Sequence, residues 1–140
     1  MTPKSKRVAL VSIVRVICFA LMLIAGNAVF AQLKGKVISI ADGDTFTLLT
    51  SENQQIKIRL HGIDCPEKKQ PYFANAKTFT SEKVFGKKVA VKEMGKDRYK
   101  RIIAMVTSED GSNLNEALLK SGLAWHFKKY DKNASWANME

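Results

Sequence analysis

GKVISIADGDTFTLLTSENQQIKIRLHGIDCPE, residues 35–67, decides how this chain folds. Apolar and polar residues alternate from Gly35 to Ile40, less strictly from Phe46 to Leu49, and cleanly from Gln55 to Leu60, where Ile56, Ile58 and Leu60 share one face. A period of two marks a half-buried strand, because successive side chains point to opposite sides of a sheet. The stretch ADGDT at 41–45 is a turn signal, Asp-Gly being a favoured hairpin pair. Three strands in a meander are expected. The third runs into Arg59–Glu67, which packs an arginine, a histidine, a cysteine and two carboxylates into nine positions.

Downstream, Phe73, Ala76, Thr80 and Val84 recur at helical spacing within Tyr72–Phe85, and Gly86 is placed to end that helix. Lys88–Met94 and Ile102–Thr107 are two further strands, joined by the basic loop GKDRYKR at 95–101. A turn at Glu109–Ser112 leads to a short amphipathic helix, Asn113–Ser121, with Leu114, Ala117, Leu118 and Leu119 facing inward and Gly122 capping it. The order of three strands, helix, two strands, helix predicts a mainly β protein with α. It fits a five-stranded Greek-key barrel of the OB type with two to three attached helices.

Residues 1–31 carry Lys4, Lys6, Arg7 and Arg15 but no acidic residue, then an apolar run from Val16 to Ala25, and close on Ala-Val-Phe-Ala. A basic start, a short apolar core and small residues at the end are expected to be a secretory signal peptide cleaved after Ala31. The apolar run is short for a membrane span, which needs about 20 residues. The domain is then residues 32–140, in the periplasm or the external medium. The full chain has 23 basic and 13 acidic residues; the segment takes four of the basic ones, leaving a net charge of +6. A basic surface favours polyanions such as nucleic acid. Cys18 leaves with the segment, so Cys65 has no partner for an internal disulfide, and stability must come from the core or from ligands.

Three constellations carry chemistry. Asp42-Gly43-Asp44-Thr45 is either a hairpin turn chosen for its backbone or a place where two carboxylates offer oxygens to a hard cation such as calcium. In RLHGIDCPE, Arg59 alternates away from Ile58 and Leu60, and its fork suits phosphate oxygens. Asp64 and Glu67, separated by Cys65-Pro66, can hold a cation, take a proton from water, or form a surface ion pair. His61 and Cys65 raise zinc or a thiolate nucleophile. Zinc needs three or four ligands, and His126 is the only other histidine. The third constellation, KDRYKR at 96–101, sets four cations and Tyr99 in six residues, suited to phosphate contact with base or sugar stacking, and Arg101 enters the following strand as a second fork.

Together DGDTFTL (42–48), IRLHGIDCPE (58–67), DRYKR (97–101) and LNEALLKSGLAW (114–125) resemble the staphylococcal nuclease-like (thermonuclease) domain family, in its order and approximate spacing, over about Gly35 to Tyr130. The resemblance implies an OB-type barrel that cleaves phosphodiester bonds of DNA and RNA with calcium (Ca2+). By motif position it implies Asp44 and Asp64 as calcium carboxylates, with the Cys65 carbonyl as a third ligand. It implies Glu67 as general base for the attacking water, Arg59 and Arg101 as the arginines on the scissile phosphate, and Tyr99 and Tyr130 as nucleotide contacts. Arg98 joins them on the basic loop, and Asp42 supports the metal site indirectly. The chain departs from the family pattern in Cys65, where threonine or alanine is usual, in Lys100, where DRYKR replaces DRYGR, and in the short run after Tyr130, DKNASWANME, where the family has a long helix. A lysine forced to positive φ costs about 1 kcal/mol and bears on Arg101. The expected activity is that of an exported nuclease acting as a monomer on DNA and RNA. The alternative is a catalytically weak or inactive OB-fold module that binds nucleic acid.

Overall fold

The computed structural model of the protein describes residues 32–139; the expected signal segment, residues 1–31, lies outside the described residues. The alternating segments form strands β1 (Leu33–Asp42), β2 (Thr45–Thr50) and β3 (Gln55–Leu60), the expected meander. A two-residue strand β4 (Ile63–Asp64) follows, then helix α1 (Phe73–Val84), strands β5 (Lys88–Lys96) and β6 (Ile102–Thr107), helix α2 (Leu114–Lys120) and a second two-residue strand β7 (Trp125–His126). The run after Tyr130 holds a short 3-10 turn at Trp136–Asn138, and the two α-helices among the described residues fall within the two to three expected.

Five strands close into a barrel in the order β1-β2-β3-β6-β5, with β3 and β6 parallel and the other neighbours antiparallel. This is the Greek-key arrangement predicted. β1 extends two residues beyond Gly35–Ile40 at each end. At its start Leu33 to Lys36 pair with β5, and at its end Asp42 pairs with Thr45, so both edges of the strand are used in turn. β4 and β7 form a separate two-stranded sheet, too short to leave an alternation signal in the sequence.

Val37, Phe46, Leu48, Ile58, Leu60, Val89, Val91, Ala104 and Val106 fill the barrel. α1 buries Ala76, Thr80 and Val84, and α2 buries Leu114, Leu118 and Leu119 with Asn115 rather than the expected Ala117. The Asn113 side chain accepts from the Glu116 N–H, an N-cap that starts α2 where the sequence placed it. Trp136, only 1% exposed, seals the end of the core beside His126.

Gly43 shows why the β1–β2 turn reads Asp-Gly-Asp. Its φ is not positive, so the turn does not need glycine for its angles. A Cβ there would lie 2.8 Å from Ala76 Cβ and 2.9 Å from both Cβ and Sγ of Cys65, so glycine is required by close approach. The Thr80 hydroxyl donates to the Gly43 carbonyl from the same helix face. α1 therefore clamps the turn that carries the two carboxylates.

Candidate active site

β3 delivers Arg59 to the barrel rim, where strand register sets it beside Thr45 on one side and Ile103 on the other. Its guanidinium is bound on several sides. Nη1 donates to the carbonyls of Leu60 at 3.0 Å and Ile63 at 2.9 Å and lies 3.1 Å from Asp44 Oδ2, while Nη2 lies 2.8 Å from Asp64 Oδ1. Carbonyl and carboxylate partners fix the planar fork in one orientation. One cation thus bridges Asp44 and Asp64, two carboxylates twenty residues apart.

Asp44 is buried, and its oxygens are spoken for. Oδ2 accepts from the Cys65 N–H at 2.8 Å, and Oδ1 accepts from the Thr45 hydroxyl at 3.1 Å. Burial pushes its carboxyl up to about 7; the Arg59 charge pulls the other way, and Asp42 adds to the rise. Asp42 accepts from the Asp44 N–H at 3.3 Å, which places it behind the site rather than in it. Asp64 remains half-exposed. A desolvated carboxylate and a half-exposed one, both held on the Arg59 guanidinium, are hard oxygen donors of the kind a cation such as calcium takes. Among the described residues no group of three or more His, Cys, Asp and Glu side chains gathers for a metal, so the fit rests on two carboxylates. Burial, aided by the Asp44 charge, raises the Cys65 thiol far above its ordinary value, which keeps it protonated and unsuited to nucleophilic attack or zinc ligation. Its backbone, not its sulfur, faces the site.

Arg101 approaches from the other side. Its Nε donates to Asp97 Oδ2 at 2.6 Å, and its Nη1 reaches the Thr45 hydroxyl at 3.5 Å. The two guanidinium groups therefore flank Asp44-Thr45, each hydrogen-bonded or ion-paired to that dipeptide. The Asp97 carboxylate also accepts from the N–H groups of Tyr99 and Arg101. Desolvation works to raise its carboxyl, but these hydrogen bonds outweigh it and hold the group below its ordinary value. Lys100 sits inside this loop with φ 63°, the left-handed conformation that glycine adopts freely. Its N–H still donates to the Asp97 carbonyl at 3.0 Å, so the loop accepts lysine without losing its Asp97 anchor.

A cleft of about 720 Å³ opens between these groups, its lining including Arg59, Arg98, Tyr99, Arg101, Phe127 and Tyr130. Arg98 lies 4.9 Å from the Tyr99 ring centroid, and the exposed Tyr130 packs edge-on to Phe127 at 4.9 Å. Five of the residues singled out in the sequence, Arg59, Arg98, Tyr99, Arg101 and Tyr130, are thus drawn to one surface. Asp44, Asp64 and the Cys65 amide gather at its edge. Glu67 is not drawn in: it lies on the exposed turn after Pro66, its N–H donates to Gln70, and among the described residues its side chain makes no ion pair or hydrogen bond.

Three supporting residues escaped the sequence reading. Asn115 accepts from the Val106 N–H at 3.1 Å and donates to the carbonyls of His61 at 2.9 Å and Ala104 at 3.2 Å, locking the corner after Arg59 onto β6 and α2. A polar residue on the apolar face of LNEALL was the available signal. Asp97 was visible only as a member of a basic run, although its spacing of four from Arg101 is that of a loop clamp. Asp131 packs against the same corner, 3.5 Å from His61 and 3.9 Å from His126, and Gly62 admits it because a Cβ there would lie 2.7 Å from Asp131 Cβ.

Sequence comparison agrees with the fold and the motif order. A "Micrococcal nuclease" of Shigella flexneri is 31% identical over 126 residues, 84% of this chain and 72% of that protein. An "Uncharacterized endonuclease" of Haemophilus influenzae is 43% identical over 95 residues, 68% of this chain, and a second of Escherichia coli is 38% identical over 101 residues, 72% of this chain. This chain spans only 53% and 65% of the length of those two relatives. Residues 57–139, from the third barrel strand through the buried Trp136 that closes the core, match the family described as staphylococcal nuclease homologue, and with a five-stranded barrel carrying the paired arginines, the chain belongs to that family.

Proposed function

We propose that the protein is an exported, calcium-dependent nuclease that hydrolyses phosphodiester bonds of DNA and RNA with low sequence specificity. The observation that carries this reading is the pair of guanidinium groups, Arg59 and Arg101, held on either side of Asp44-Thr45 at the edge of a basic, aromatic cleft. Attack on a phosphodiester builds negative charge on the equatorial oxygens, and two fixed forks facing that charge lower the barrier more than they favour the ground state. Asp44 and Asp64, with the Cys65 carbonyl, would hold the calcium, which when bound supplies positive charge at the same phosphate. Binding a phosphate also asks Arg59 to share its fork between ligand and carboxylates, so both carboxylates need another cation; this couples substrate and metal. Glu67, exposed and with no side-chain hydrogen bond or ion pair among the described residues, is assigned the proton of the attacking water, its turn moving toward the arginines to do so. Tyr99, Tyr130 and Arg98 contact the nucleotides. Contacts of this kind read the backbone and base faces rather than base edges, hence the low sequence specificity. Export rests on the basic, apolar and Ala-Val-Phe-Ala pattern of residues 1–31, and the domain is taken to act as a monomer.

The purified domain should cleave single-stranded DNA and RNA with calcium and stop on chelation. Retained binding without any calcium-dependent cleavage would leave only the nucleic-acid-binding module. Glu67→Gln should reduce cleavage far more than binding; an unchanged rate removes Glu67 from the chemistry. Export is checked by the N-terminal residue of the mature protein recovered outside the cytoplasm, expected to be Gln32.

A further inference from the structure

We propose that Trp125 is a stacking platform for the nucleobase adjacent to the phosphate held by Arg59, and that the substrate therefore engages as a single strand. The location of that phosphate is taken from the nuclease reading above. The rest follows from β7. In its antiparallel pairing with β4, Asp64 stands opposite Trp125 and Ile63 opposite His126. Directly opposed residues share a face of the sheet with Cβ atoms about 5 Å apart. Ile63 and His126 are both buried, so Asp64 and Trp125 occupy the outer face together. Asp64 is the carboxylate bound to Arg59 at 2.8 Å. Trp125, 54% exposed, therefore shares that outer face with the carboxylate of the arginine–carboxylate centre.

The alternation continues past the strand. The Phe127 N–H donates to the Gly62 carbonyl at 2.8 Å, extending the ladder and putting Phe127 on the same side as Trp125. Phe127 then meets Tyr130, and both line the cleft. Exposed aromatics thus run in a row from Asp64 into the cleft, with cations set against rings there: the Lys129 ammonium lies 5.7 Å from the Tyr130 ring and the Arg98 guanidinium 4.9 Å from the Tyr99 ring. Cations alternating with aromatic faces suit a phosphate backbone whose bases are turned outward. Bases in a duplex are stacked on one another and have no free face to offer such a row.

The domain carries its own reporter, since its tryptophans are the exposed Trp125 and Trp136, which is 1% exposed. In chelator, where no cleavage is needed, a single-stranded oligodeoxynucleotide should quench the emission of the wild-type protein and protect it from acrylamide, and the same sequence as a duplex should do neither. Trp125→Leu should bind a labelled single strand about tenfold more weakly, a loss within the range of one base stacked on an aromatic ring. Trp125→Phe should recover most of it. Unchanged emission while the labelled strand binds, or equal affinity of Trp125→Leu, overturns the platform. Cleavage by the wild type with calcium is measured separately: its absence strikes the nuclease reading, whereas the fluorescence decides Trp125.

Discussion

Replacing Asp44 by asparagine should stabilise the metal-free protein while destroying its activity. Burial raises the Asp44 carboxyl from 3.8 to about 7 in the folded state, so the fold favours the protonated form. Because the folded value lies above the unfolded one, the stabilising contribution is complete below about pH 4. It is lost progressively as pH rises to about 7, and above that the ionised group is a constant burden. A tenfold change in proton affinity is worth about 1.4 kcal/mol, so the ceiling of that burden is roughly 4 kcal/mol. Asparagine is a permanent stand-in for the neutral acid. It can still accept from the Cys65 N–H, but it places an amide near Arg59 and leaves that cation with Asp64 alone, which returns part of the gain. A net gain of about 2 kcal/mol at pH 8 remains, or roughly 8 °C in Tm for a domain of this size. Thermal unfolding followed by circular dichroism, in chelator at pH 4.5, 6 and 8, measures it. The advantage of Asp44→Asn should be largest at pH 8 and shrink toward pH 4.5. Calcium should raise the Tm of the wild type and leave the variant nearly unmoved. An advantage independent of pH, or an Asp44→Asn protein less stable than wild type at pH 8, would mean that the buried Asp44 charge does not burden the fold.

Arg101→Lys should lower kcat by about a hundredfold, the cost of losing one fixed charge-stabilising group, with little change in Tm; the calcium-dependent cleavage rate and a melting curve check both. Asn115→Ala leaves the buried Val106 N–H and the His61 carbonyl without their side-chain partner and should cost about 2 kcal/mol, read by urea unfolding. Lys100→Gly relieves a left-handed lysine but loosens the unfolded chain, so a gain of only about 0.5 kcal/mol is expected, with cleavage kept. Asp97→Ala frees Arg101 and the Tyr99 loop together. It should lower kcat by about tenfold while leaving the far-UV circular dichroism spectrum unchanged, because misplacing a charge-stabilising group costs rate rather than fold.

The barrel was legible because alternation is a local property. Ile56, Ile58 and Leu60 declare one buried face whatever they pack against, and a helix at 73–84 between strands leaves few ways to close the sheet. The same holds for the motifs, since Arg59, Asp64 and Arg101 are set by spacing along strands and the turns that end them. The reason for Gly43 was misjudged from sequence, because Asp-Gly suggests a turn angle and only the packing of Ala76 and Cys65 shows a close contact. β4 and β7, at two residues each, are held by one another and by the corner they join rather than by any local preference.

What the sequence determined by itself was the strand order, the buried faces and the residue types able to hold a cation and a phosphate. Which of them meet is settled by tertiary packing. Arg59 bridges Asp44 and Asp64, Glu67 stays apart in solvent, and Trp125 comes to lie opposite Asp64. Such meetings across twenty or sixty residues depend on barrel closure and strand register, which are cooperative properties of the whole chain and leave no trace in the spacing of neighbours.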